Sequence, residues 1–75
     1  MNEIESQLLS IFQETIPGME LDLAKDGDLP LGKVGVDSLD KMSILLAVQE
    51  KWGKEFTPEE IDGMTSFNAI CSKIG

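Results

Sequence analysis

Between residues 4 and 16 the apolar side chains Ile4, Leu8, Leu9, Ile11, Phe12 and Ile16 share one arc of a helical wheel, and Ser6, Gln7, Ser10, Gln13 and Glu14 fill the other. The spacing predicts an amphipathic helix, opened by Asn2 and Glu5 as a capping pair and stopped by Pro17-Gly18. Residues 19–36, "MELDLAKDGDLPLGKVGV", have neither helical nor strand periodicity. They scatter Leu21, Leu23, Leu29, Leu31, Val34 and Val36 among Asp, Gly and Pro, which predicts a long loop tacked onto the core. From Asp37 the pattern turns helical again and runs to Trp52, ended by Gly53. "TPEE", residues 57–60, is a compact helix start with Thr57 as N-cap, Pro58 at the first helical position and Glu60 completing a capping box; Gly63 keeps that helix short. Ser66 or Thr65 then caps a last helix with Phe67, Ile70, Cys71 and Ile74 on one face. The sum is an all-α four-helix bundle with one short helix and a long loop between the first and second helices. No strand, internal repeat or low-complexity tract is expected.

The second long helix carries more apolar surface than one packed face needs. Ile44, Leu45, Val48 and Trp52 cluster around one direction, with Trp52 expected as a bulky core aromatic; Leu39, Met42 and Leu46 cluster about 140° away. Two readings compete for this second stripe. Either the bundle wraps the helix more completely, or the stripe is a docking patch for a partner protein.

Charge narrows the choice of partner. The 75 residues hold 14 Asp and Glu against 6 Lys, with no Arg and no His, for a net charge of -8. Nucleic acid and anionic membrane need clustered cations, so basic protein surfaces are the natural complement. The lack of His removes Ser-His and Cys-His nucleophile pairs together with the commonest metal ligand. Cys71 is the single cysteine and is expected to be a buried small apolar residue. "DGD", residues 26–28, is no calcium loop, because Leu29-Pro30-Leu31 interrupt the ligand spacing, and no metal site is expected. The N-terminal residues are acidic and unlike a secretory signal, and no run reaches the ~18 apolar residues of a membrane span. A single domain, residues 1–75, at a cytoplasmic address is the resulting expectation.

"GVDSLD", residues 35–40, places a hydroxyl where the loop gives way to the helix. Asp37 reads as N-cap, Asp40 as a weaker capping partner, and Ser38 lies in the first turn. Unpaired N–H groups and the positive end of the helix dipole favour an anion attached there. The two carboxylates can instead hold a divalent cation or a lysine of a modifying enzyme. On residue types alone, an ordinary helix-start serine is the stronger reading. If Ser38 does react, another protein must activate it, since the chain has no base of its own for the task.

The stretch "LGKVGVDSLDKMSILLAVQEKWGKEFTPEEI", residues 31–61, resembles the attachment motif, following helix and next turn of the acyl carrier protein family, including the carriers of polyketide and peptide assembly lines. The likeness extends over essentially the whole chain. It implies a non-catalytic carrier, not an enzyme. A phosphopantetheinyl transferase would move 4'-phosphopantetheine from coenzyme A to the Ser38 hydroxyl, and the arm's terminal thiol would hold acyl groups as thioesters. Asp37 and Asp40 would serve as recognition carboxylates, and Leu39, Met42 and Leu46 as the stripe facing acyl-loading, condensing or acyl-transferring enzymes. The carrier would act as a monomer. Relatives from fatty acid synthesis carry several acids along this helix, whereas here Asp40 and Glu50 stand amid Lys41, Ser43, Gln49 and Lys51. The difference favours a specialised polyketide- or lipid-type pathway. Alternatives are an aminoacyl or peptidyl carrier, which differs only in cargo, and a non-carrying adaptor of the same fold.

Acidic residues crowd positions 20–28 and 37–40, so self-repulsion should weaken the fold at low ionic strength. Added salt or millimolar-scale divalent cations should therefore raise the melting temperature. A melting temperature indifferent to both would show that these carboxylates lie too far apart to matter.

Overall fold

Asn2 opens the first helix, α1 (Glu3–Thr15), by accepting from the Glu5 amide at 2.8 Å while Glu5 Oε1 accepts from the Asn2 amide at 2.9 Å. The computed structural model describes residues 2–75. Ile16 caps the end of α1, and Gly18 turns the chain with a φ of 84° that favours glycine. The second long helix, α3 (Ser38–Trp52), ends at Gly53, whose φ of 63° is also left-handed. Gln49 fixes the return that follows, since its side-chain Oε1 accepts from the Phe56 amide at 3.0 Å. Thr57 and Glu60 close the expected capping box at the start of α4 (Pro58–Gly63). Ser66, not Thr65, caps α5 (Phe67–Ile74), accepting from the Ala69 amide at 3.1 Å.

Residues 19–36 are not wholly irregular. A one-turn helix, α2 (Leu23–Asp26), and a 3-10 turn (Leu31–Val34) lie within them, so the described residues form five α-helices where four were expected. The cause is local: Asp22 Oδ1 accepts from the Ala24 amide at 3.0 Å, and Asp26 Oδ2 accepts from the Asp22 amide at 3.1 Å. Two aspartates thus cap a turn too short to show a hydrophobic period. Among the described residues there is no strand.

α1 packs against α3 and α5. Leu8 and Phe12 of α1, Ile44, Leu45 and Val48 of α3, Met64, and Phe67 and Ile70 of α5 are almost wholly buried, and Phe12 meets Phe67 edge-on with ring centroids 5.2 Å apart. Leu31 and Val36 add two side chains from the loop to the same cluster. The radius of gyration, 11.1 Å, matches the ~11 Å of a close-packed domain of this length. The ion pair Lys73–Glu60, at 3.8 Å and exposed, contributes little beside this burial.

Two residues assigned to the interior from the sequence lie at its edge. Trp52 is half-buried against the core with Lys51 Nζ 5.8 Å from its ring centroid, because α3 ends there and Gly53 turns the chain away. Cys71 is also only half-buried, on the flank of α5, while Phe67, Ile70 and Ile74 take the inward face.

The two stripes of α3 separate cleanly. Ile44, Leu45 and Val48 are at most 1% exposed, whereas Leu39, Met42 and Leu46 are 79%, 49% and 56% exposed. The bundle therefore does not wrap the second stripe. Ile44→Ala should cost ~2–5 kcal/mol, a large fraction of the ~5 kcal/mol available to a domain this small, and unfold much of the population. Met42→Glu should leave helical content and melting temperature nearly unchanged. Thermal melts of both variants test the assignment, and unfolding by Met42→Glu would return that stripe to the core.

Candidate functional site

The site is built by the loop before it is built by the helix. Pro30 leads into the 3-10 turn, in which the Lys33 amide donates to the Pro30 carbonyl at 2.9 Å. The Leu31 amide leaves the turn and donates to the Thr65 carbonyl at 2.9 Å, which ties the loop to the connection between α4 and α5. Gly35 ends the turn with a φ of 94°, a value a side chain disfavours. The Val36 amide then returns to the Leu31 carbonyl at 3.0 Å, and the Val36 side chain enters the core at 3% exposure. Asp37 follows directly from this anchor.

Asp37 is extended and caps α3: its Oδ1 accepts from the Asp40 amide at 2.8 Å. Ser38 is consequently the first helical residue, exposed to solvent. The Ser38 and Leu39 amides have no intrahelical acceptor at this end, which leaves two donors at the positive pole of a 15-residue helix. The reciprocal contact expected of Asp40 is missing. α1 and α4 close full capping boxes with Glu5 and Glu60, whereas aspartate is one methylene shorter and does not reach back to the Asp37 amide. The Asp40 carboxylate is thereby left free of the cap.

On the wheel Ser38 sits between Lys41, three residues on, and Met42, four residues on. Each neighbour belongs to a different surface. On the Lys41 side an open hollow of about 430 Å³ is walled by Pro30, Leu31, Val36, Thr65 and Lys41, with Ser38 at its rim. On the Met42 side lies the exposed stripe of Leu39, Met42 and Leu46. All six sequence-selected positions, Asp37, Ser38, Leu39, Asp40, Met42 and Leu46, therefore lie on α3 or at its cap, around one serine. The hollow wall from Pro30, Leu31 and Thr65 was not singled out from the sequence, and Thr65 carries no residue-type signal for it. A second open hollow of about 430 Å³ lies between α1 and α3, lined by Gln7, Ser10, Glu14, Ala47 and Lys51 among others.

Chemically, the arrangement offers an accessible hydroxyl and unpaired backbone donors, with Lys41 lining the same hollow and no imidazole in the chain to pair with the hydroxyl. Among the described residues no group of three or more Cys, Asp or Glu could hold a metal ion, and no helix is long and apolar enough to cross a membrane. No protein-family model matches the chain, and no solved structure matches it significantly.

Cys71, the single thiol, lies on α5, away from this surface. Burial, and secondarily the Glu5 carboxylate, push its thiol from 9.0 up to about 11. It is therefore a protonated, sluggish thiol at neutral pH. The folded chain holds the thiol proton more tightly than the unfolded chain. The stabilisation this linkage provides is complete below the unfolded value, about 8.5–9, and is lost as pH rises through about 11. Alkylation of the folded protein by iodoacetamide should keep accelerating above pH 10, where an unperturbed thiol has levelled off. A plateau reached by about pH 10 would place Cys71 in water.

Proposed function

We propose that the chain is a carrier domain of the acyl carrier protein type, in which Ser38 accepts 4'-phosphopantetheine from coenzyme A and the arm's thiol carries acyl groups as thioesters. The observation that carries this reading is the position of Ser38. It is exposed at the first helical position of α3, beside an apolar stripe that the fold leaves uncovered. In this reading α1, α3 and α5 are the long helices of the carrier bundle, α4 is its short helix, and residues 16–37 are its long first loop.

The residues present fit the group. A phosphodiester on Ser38 would meet the unpaired amides of the first turn and the ammonium of Lys41 across the hollow, while Asp37 remains turned toward the Asp40 amide. In the transfer, a bond forms between Ser38 Oγ and the phosphorus bearing the pantetheine. The pyrophosphate P–O bond breaks, adenosine 3',5'-bisphosphate leaves, and the hydroxyl proton passes to a base of the transferase. The chain supplies the acceptor and its orientation; it is not an enzyme. Bound to Ser38, the arm supplies a thiol whose thioesters are activated acyl donors.

Partners in this reading are the transferase and the acyl-loading, condensing or acyl-transferring enzymes, met by a monomeric cytoplasmic carrier. Asp37 and Asp40 serve as recognition carboxylates, and Leu39, Met42 and Leu46 form the contact stripe. The α3 surface carries Asp40 and Glu50 against Lys41 and Lys51, so it is close to neutral on a chain of net charge -8. A partner selected by such a surface is recognised through apolar contact more than through a basic patch, which favours a dedicated polyketide- or lipid-type pathway over a general one.

Intact mass after incubation with coenzyme A and a broad-specificity phosphopantetheinyl transferase should show one added pantetheinyl group. Ser38→Ala should take up none while remaining folded. Met42→Glu should accept the arm or its acyl load more slowly at an unchanged melting temperature, because the new charge must be desolvated at the interface. A folded wild type left unmodified by a transferase that is active on a control carrier would end the carrier reading.

A further inference from the structure

We propose that Asn68 is a positioning residue for the reaction at Ser38: from the first turn of α5 it clasps Gly27 and Asp28 and so sets the loop wall of the hollow beside the serine. What the hollow does rests on the carrier reading; what holds it in place rests on geometry alone. Asn68 bonds to two consecutive loop residues. Its backbone N–H donates to the Gly27 carbonyl at 2.9 Å, and its Nδ2 donates to Asp28 Oδ1 at 2.8 Å. The backbone donor is a first-turn amide that α5 cannot pair itself, since Ser66 serves Ala69 instead.

Gly27 shows how closely the two segments approach. It is buried, and a Cβ there would lie 2.7 Å from Asn68 Nδ2 and from the Leu23 carbonyl oxygen. Its φ is -59°, which any residue adopts, so glycine serves here to admit a neighbour and not to permit a backbone angle. Four residues on, the Leu31 amide meets the Thr65 carbonyl at 2.9 Å. Gly27 pairs with Asn68 and Leu31 with Thr65, so the two segments run antiparallel and are laced at both ends. Beyond Leu31 the 3-10 turn and the buried Val36 lead straight to Asp37 and Ser38. Pro30, Leu31 and Thr65 wall the hollow at Ser38, and among the described residues the Asn68–Asp28 bond is the side-chain tie between this loop and α5, added to the backbone bonds Asn68–Gly27 and Leu31–Thr65.

The pair can be broken and rebuilt. Asn68→Asp removes the Nδ2 donor and sets a second carboxylate against Asp28, while adding Asp28→Asn restores a donor and an acceptor in the opposite direction. Circular dichroism melts select a temperature at which every variant is folded, and initial rates of pantetheinyl transfer are then measured against carrier concentration. Asn68→Asp should raise KM for the carrier about tenfold with kcat within about twofold, and the double variant should return KM to within about twofold of wild type. If Asn68→Asp does not fold, Asp28→Ala tests the same bond from its exposed side. A purely structural Asn68 would leave KM unchanged among folded variants, and that result overturns the proposal, as does a double variant no better than the single one. Amide hydrogen exchange reads the side-chain bond without any transferase: protection at Leu31 should fall about tenfold in Asn68→Asp while Val48 keeps its own, and unchanged protection at Leu31 overturns the part given to the Asn68 side chain. A wild type that takes no arm defeats the carrier reading, and exchange at Leu31 then decides the clasp by itself.

Discussion

The hydrogen bond from the Leu31 amide to the Thr65 carbonyl, backed by the buried side chains of Leu31 and Val36, is the constraint on which the presentation of Ser38 depends. Residues 19–36 have little regular structure of their own, and one-turn segments such as α2 are unstable in isolation because nucleating a turn costs more than its few bonds return. Burying a Leu or Val side chain contributes roughly 1.5–3 kcal/mol, while ordering each backbone residue costs about 1–2 kcal/mol. These two buried anchors, with Met19, Leu21, Leu23 and Val34 half-buried beside them, thus offset only part of the ordering of residues 19–36. The lacing of this loop to residues 65–68 supplies direction as well as energy. It converts a loop held at scattered points into a wall whose position relative to the first turn of α3 is fixed.

That geometry explains why α3 divides its labour along its length as well as around its wheel. Ile44, Leu45 and Val48, in the middle of the helix, lock it against α1 and the rest of the core. Its first turn is capped by Asp37 and leaves Leu39 largely and Met42 half exposed. A helix held firmly at its centre can present a hydroxyl at its end without lid or hinge. Leaving Leu39 79% exposed forgoes burial that the fold could have used, so at that position a polar side chain would serve stability nearly as well, whereas Met42 and Leu46 keep about half of their surface against the protein.

Much of this was legible in the sequence because the signals were local. Asn2 with Glu5 and Thr57 with Glu60 are capping pairs that need no tertiary context, and the helices stand where those pairs place them. The two stripes of α3 were visible as directions on a wheel, but which one faced the core depended on the neighbours, and burial resolved it. α2 was invisible because four residues cannot display a 3.6-residue period; Asp22 and Asp26 were the available signal, and they read equally as loop carboxylates. Trp52 and Cys71 were placed too deep because the wheel records direction and not distance from the helix end or flank. Asn68 was illegible altogether, since its partners lie about forty residues away and nothing in its immediate surroundings distinguishes it from a polar residue facing solvent.

Charge and apolar surface together shape what the exposed face can do. With two carboxylates and two ammonium groups along α3, the helix itself adds no net charge beyond its Asp37 cap, so most of the long-range attraction that the chain's net charge of -8 would exert on a basic partner arises elsewhere on the surface. Affinity must then come mostly from the stripe. Three side chains of the Leu and Met class contribute at most several kcal/mol if fully covered, and association itself consumes a comparable or larger amount in lost translational and rotational freedom. The stripe alone therefore supports only weak, short-lived complexes, and tight binding requires contacts from elsewhere. For a protein proposed to deliver one cargo to successive enzymes this is an advantage, because a carrier bound tightly to one partner is withheld from the next. The covalent arm would supply what the surface lacks: once the carrier docks, cargo is presented at high effective concentration, so a brief encounter is enough for reaction. On this account the exposed apolar stripe and the rigidly held serine are complementary, the first setting how long an encounter lasts and the second ensuring that each encounter begins from the same geometry.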